Sequence, residues 1–265
     1  HAPHTHALYA LDDPHFFTAH GDRFDFRGKD DTVYNLLSHA NVSVNALFQT
    51  ADYTSSGPRH KLVHGSFMRK AFVTVLTNMS HTLRVEYAAA RPLTSKATVD
   101  GADISASGRS EVNIDNIAVS LNGRTLTIQT PEWLIRVSSK VNPSISNAPS
   151  CATGRCILNI QLAPLFDANH ARVAPHGLIG QSYDGDSIAV IGQVDRYNLA
   201  EVTTSAMGEG AIEGVAAQYE MADTFATSFA FSRFRKTSAP PRNVSELTGI
   251  KANSDLSKAT PTQAI

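Results

Sequence analysis

The sequence predicts an all-β fold, mainly an antiparallel β-sandwich, with one short helix near 211–221. Three observations carry this expectation. From Phe16 to Leu162 apolar residues recur mostly at every second position, in short runs. Gly, Asn, Asp, Ser or Pro separate those runs. No 3.6-residue pattern alternates with them, which sets the chain apart from parallel α/β architectures.

Val42, Val44, Ala46 and Phe48 alternate with Asn41, Ser43, Asn45 and Leu47. Successive side chains of a strand point to opposite faces, so this run predicts one apolar and one largely polar face. Comparable runs follow at 67–77, 82–87, 111–114, 117–121, 125–129, 134–138 and 156–162. Asn122-Gly123, between two of them, is a dipeptide that tight hairpins favour because both residues tolerate positive φ. Ile212, Val215, Ala216 and Tyr219 recur at helical spacing and predict the short helix. The aromatic-rich stretch from Phe225 to Phe234 reads as a closing strand of the same core. One domain is therefore placed at 12–235. Residues 1–11, with three histidines and a proline, read as an extended N-terminal arm. Residues 236–265 contain no aromatic side chain and carry Pro240 and Pro241 among Ser, Thr, Lys and Asn, so they read as a flexible C-terminal tail or linker.

A chain of 265 residues buries enough surface to hold a core without a disulfide framework or a structural metal. Lys plus Arg number 23 against 24 for Asp plus Glu, a net charge of -1. No positive field rewards a polyanion, so no nucleic-acid partner is expected. The most apolar stretch, Ile188 to Val194, falls far short of the roughly 20 residues of a membrane helix, and no membrane span is expected. The chain begins at His1 and not at methionine, which reads as processing, and the secretory reading is adopted here.

Cys151 and Cys156 are the only cysteines, in Cys-Ala-Thr-Gly-Arg-Cys, where Gly154 supplies turn flexibility. The segment reads as a small disulfide-closed loop; free thiols and a zinc half-site are the alternatives, though no second Cys/His pair has finger spacing. Asn41, Asn78 and Asn243 each begin an Asn-X-Ser sequon and are candidate glycosylation sites. His1, His4 and His6 beside a free amine have the chemistry to bind copper, but no later motif supports an oxidative enzyme. Gly208-Glu209-Gly210 opens a loop and helix start; its spacing does not fit a dinucleotide fingerprint. Asp184-Gly185-Asp186 puts two carboxylates on a flexible turn, as a hard cation needs, and equally as an ordinary Asp-Gly turn would.

Two motifs go further. Near the start stands Asp13-Pro14-His15-Phe16-Phe17, then the turn His20-Gly21, the strand pair Phe24 and Phe26, Gly28, and Asn41-Val42-Ser43-Val44-Asn45-Ala46-Leu47-Phe48. Far downstream stands His176-Gly177-Leu178-Ile179-Gly180-Gln181-Ser182-Tyr183-Asp184-Gly185-Asp186. Together, over about residues 12 to 190, they resemble a von Willebrand factor type D domain. The likeness is nearest to the cysteine-poor branch typified by plant root cap proteins. That resemblance implies a β-sandwich in an extracellular protein. The cysteine-rich branch supplies modules of secreted, polymerising glycoproteins, often with a calcium site in the downstream box, whereas the root-cap-like branch has no defined activity. The chain departs from the cysteine-rich pattern at Ile179, where a cysteine is usual, and at His20, where an aspartate usually precedes the turn glycine. If the two boxes meet, His20 and His176 lie near Asp184 and Asp186, a mixed set suited to a transition metal better than to calcium.

The function expected is that of a secreted, non-enzymatic building block of an extracellular matrix, wall or filament, with the chain itself as partner. A monomeric module binding glycans or matrix proteins is the first alternative, with Trp133, Tyr183 and Tyr197 as the aromatic side chains to examine. A metal-dependent enzyme using the His/Asp set is the second.

Overall fold

Alternating apolar residues give the chain its strands, and turn residues set where they reverse. In the computed structural model the described residues are 7–11, 15–54, 62–89, 96–104, 109–141, 156–186, 188–192 and 211–236. They form fourteen strands: β1 Leu8–Leu11, β2 His15–Phe17, β3 Arg23–Asp25, β4 Thr32–His39, β5 Val42–Thr54, β6 Leu62–Leu76, β7 Thr82–Ala88, β8 Lys96–Val99, β9 Ala102–Asp103, β10 Arg109–Ile114, β11 Ile117–Asn122, β12 Thr125–Gln129, β13 Trp133–Val141 and β14 Cys156–Pro164. All named strand pairs are antiparallel. An eight-stranded sheet runs β10-β11-β12-β13-β14-β1-β2-β3, and a six-stranded sheet runs β4-β5-β6-β7-β8-β9. The all-β sandwich expected from periodicity is the fold observed.

The inner faces share one core. Ile117, Val119, Leu126, Ile128, Trp133, Ile135 and Ile160 come from the larger sheet; Val42, Val44, Ala46, Val73, Val85 and Tyr87 come from the smaller. An aromatic chain closes one end: Phe16 meets Phe24 edge-on at 5.1 Å, Phe26 meets Tyr34 at 5.1 Å, and Tyr34 meets Phe48 at 5.3 Å. Such tilted pairs place ring edges on ring faces, the arrangement aromatic quadrupoles favour. A bulge between Asn35 and Leu37 of β4 lets Leu36 and Leu37, adjacent in sequence, both be buried. Arg69 of β6 donates from its guanidinium to the carbonyl of Cys156 on β14, tying the sheets together.

Several local expectations change. Leu8–Leu11 is not arm: it is β1, paired between β14 and β2, with Leu8 and Ala10 wholly buried. The helix near 211–221 is a single four-residue 3-10 turn, Ala216–Tyr219. Residues 225–234 form no strand. They belong to an irregular strap, 211–236, whose backbone groups bond to side chains of the smaller sheet. Ile188 to Val190 is irregular too, its neighbour Ile191 forming a parallel bridge to Arg23. Asn41 sits in the turn between β4 and β5 and not on a strand. The remaining tail residues, 237–265, lie outside the described residues.

Candidate functional site

The two family-like motifs do meet. The Ala19 amide donates to Ser182 Oγ at 3.1 Å, and the Val190 amide donates to Asp22 Oδ1 at 2.7 Å. Burial pushes the Asp22 carboxyl above its ordinary value, and the charge of Asp184 adds to this while His20 opposes it. His20, at φ 61°, bonds through Nε2 to Asn169 Oδ1 at 2.9 Å. Asp184 Oδ1 accepts from the Asp186 amide, and Asp186 Oδ1 accepts from the Ile188 amide, two successive turns around Gly185.

His176 does not join them. Its Nδ1 accepts from the Gly177 amide at 2.9 Å, so the proton sits on Nε2 and is donated to Glu213 at 2.9 Å. The ring stacks on Phe231 at 4.7 Å and on Tyr219 at 6.0 Å. Burial holds its pKa below the ordinary histidine value, with the Arg233 charge acting in the same sense and Glu213 against it. Both ring nitrogens are committed. Among the described residues no three His, Cys, Asp or Glu side chains are arranged to hold a metal ion. The set His20, His176, Asp184 and Asp186 therefore does not fit a calcium or transition-metal centre, and no chemistry is derived through one.

Of the other sequence-picked residues, Cys156 is buried and disulfide-bonded, while Cys151 lies outside the described residues. Asn78 is exposed in the turn after β6, Asn41 is half-buried, and Asn243 lies outside the described residues. Trp133 and Tyr183 are core residues and offer no platform; Tyr197, His1, His4 and His6 lie outside the described residues.

What the sequence did not single out is the outer face of the eight-stranded sheet. The registers of its ladders connect one outward-facing side chain per strand into a continuous row. It runs Glu111–Ser120–Thr127–Arg136, continues through Gln161 and Tyr9, and ends at Phe17 and Arg23. Ile191 extends it past β3. With strands about 4.8 Å apart the eight-residue row is about 34 Å long. Polar groups fill most of it. The apolar side chains gather at one end, where Tyr9 is 36% exposed, Phe17 44% and Ile191 56%. Beside them a cavity of about 270 Å³ lies over the β2–β3 ribbon, bounded by Phe17 and Ile191 and by Arg23, with His15 bonded to Asp25 at 2.6 Å. A signal was present: on a strand, the adjacent pair Phe16-Phe17 obliges one ring to face outward.

The outer face of the six-stranded sheet is the opposite case. Asn45 donates from its amide to the carbonyls of Thr224 and Ala226, at 3.0 and 2.8 Å. Ser38 Oγ accepts from the amides of Arg233 and Phe234, and Phe72 packs edge-on against Phe225. The strap covers that face over β4, β5 and the middle of β6, where Ser38, Ser43, Asn45, Phe72 and Thr74 are buried, while Thr82 and Arg84 of β7 stay exposed.

No protein-family model matches the chain, and no curated protein does.

Proposed function

We propose that the chain is a non-enzymatic extracellular building block of a matrix, wall or filament, and that its contact surface is the outer face of the eight-stranded sheet. One observation carries the reading: the strap covers the smaller sheet's outer face over β4–β6, whereas the larger sheet leaves exposed a row that includes the rings of Tyr9 and Phe17. A disulfide-bonded Cys156 supports an oxidising compartment. The resemblance to von Willebrand D domains supports secretion and assembly. In this reading residues 1–6 and 237–265, which lie outside the described residues, contribute further contacts.

The test is size-exclusion chromatography with light scattering over a concentration series, run with calcium and with chelator. Masses above that of one chain, in both buffers, are the expected result. One chain mass throughout, at high micromolar concentration, would overturn the reading.

The cavity beside Phe17 favours a second reading, a module that binds a saccharide. An aromatic wall beside an imidazole–carboxylate pair and a guanidinium offers a stacking surface and paired hydrogen-bonding groups for vicinal hydroxyls. Titration calorimetry of monomeric protein with soluble wall or matrix glycans tests it. Saturable heat that Phe17→Ser abolishes supports it, and no heat with any glycan removes it.

A further inference from the structure

We infer that the partner seated on this face is a second copy of the chain, paired face to face about a two-fold axis through the middle of the row. The inference rests on the contact-surface reading above and specifies its geometry. An isologous contact brings the same patch together twice in opposite directions. Turned on itself, the row opposes its first member to its last. Those members are Glu111 and Arg23, one anion and one cation, both exposed. At the centre Arg136 opposes Gln161, so the row's one remaining charge meets a neutral amide. Between centre and ends, Tyr9 and Phe17 oppose Thr127 and Ser120, small side chains that leave room for a ring. A parallel overlay would instead set Glu111 on Glu111 and Arg23 on Arg23.

The dimensions agree. The eight strands run from three residues in β2 and β3 to nine in β13 and β14, and at about 3.4 Å per residue and 4.8 Å between strands they give a face of roughly 700 Å². A stable dimer needs about 800 Å² from each partner. Two sheets with the same right-handed twist also stack naturally, as in any aligned sandwich. Glu111 accepts a hydrogen bond from the Asn113 amide at 3.2 Å, and among the described residues no ion pair engages Arg23, Arg136 or Glu111. Their charges are available to a neighbour.

The experiment uses the whole protein and a charge swap read by light scattering and sedimentation. Glu111→Arg and Arg23→Glu each place like charges opposite one another twice per dimer, and each is expected to weaken dimerisation about tenfold or more at low salt. An equimolar mixture of the two variants restores both pairs, so a heterodimer of twice the chain mass should form with near wild-type affinity. That rescue, weakening as salt rises, supports the pairing. Weakening without rescue, or no weakening, overturns it. Phe17→Ser separates the two claims. If it abolishes association while the swap does nothing, the face is the contact but the two-fold pairing is wrong. If neither affects an association that still occurs, the contact-surface reading falls as well. Circular dichroism of each variant, expected to match wild type because all three side chains are exposed, excludes unfolding as the cause.

Discussion

The two sheets solve the same problem differently. Each has an apolar inner face and an outer face that sequence alternation predicts to be polar. On β5 the outward residues Ser43 and Asn45 are 0% and 1% exposed, because the strap lies over them. On the larger sheet the equivalent positions remain open, and one of them is the ring of Phe17. Polar side chains under the strap became buried and, Asn35 Oδ1 excepted, were given partners: Asn35 donates to Ser43 and to Asn45, and Asn45 donates to the strap. Residue type alone does not separate the two faces: outward Phe72 lies under the strap against Phe225, and outward Ser120, Thr127 and Gln161 share the open row with Phe17.

The covered face should break first and hardest at Gly177. Its φ is 104°, and a Cβ there would stand 2.5 Å from Asn35 Oδ1 and 2.6 Å from the Leu36 carbonyl. Gly177→Ala combines left-handed strain with a backbone clash, and a loss of roughly 3 kcal/mol or more is expected in urea unfolding. Asn45→Ala comes next. It orphans two strap carbonyls and removes one of the three acceptors of the Asn35 amide beneath them, a cost of about 2–3 kcal/mol, with faster proteolytic cleavage between 211 and 236 as the accompanying sign.

Acid should loosen the same face. His176 is neutral, and a second ring proton would set Nδ1–H against the Gly177 N–H. The groups facing the ring are Glu213, Arg233, Tyr219 and Phe231; burial raises the Tyr219 hydroxyl far above its ordinary value, so it stays neutral. Because the folded pKa lies below the unfolded 6.5, the unfolded chain takes up the proton first as pH falls. Stability is full above about pH 6.5 and declines between there and the folded pKa. Melting temperatures across that window should fall more steeply for the wild type than for His176→Gln. Parallel curves would mean that another group governs acid loosening.

The smallest expected effect on stability lies on the open face. Phe17→Ser and Tyr9→Ser should change unfolding free energy by under about 1 kcal/mol while removing association. If either destabilises the monomer as much as Asn45→Ala does, the contrast between the faces is lost.

Much of this architecture was legible. Seven strands between Phe67 and Leu162 follow from alternation, five of them with both ends within two residues, while β6 begins five residues earlier than expected, at Leu62, because its middle is buried on both faces. Leu8–Leu11 was not legible, since four residues beside three histidines do not fill a period-two window. The strap escaped because it is held by Ser38 of β4 and Asn45 of β5, and the helical spacing of Ile212, Val215, Ala216 and Tyr219 marks only a four-residue 3-10 turn within it. The metal set failed for a different reason. The segments of His20 and Asp184 do meet, through Ala19 with Ser182 and Asp22 with Val190, but His176 sits on the β4 edge, its backbone bonded to Ser38, and its ring turns toward the strap. Adjacency of segments did not determine the direction of one side chain.

The most direct measurement of the central claim is hydroxyl-radical footprinting of the native protein across a concentration series, read residue by residue. Tyr9 and Phe17 should lose reactivity as the protein associates, while Phe225 and Phe234 of the strap stay constant. Association that leaves Tyr9 and Phe17 fully reactive, or that protects the strap in their place, would contradict the account.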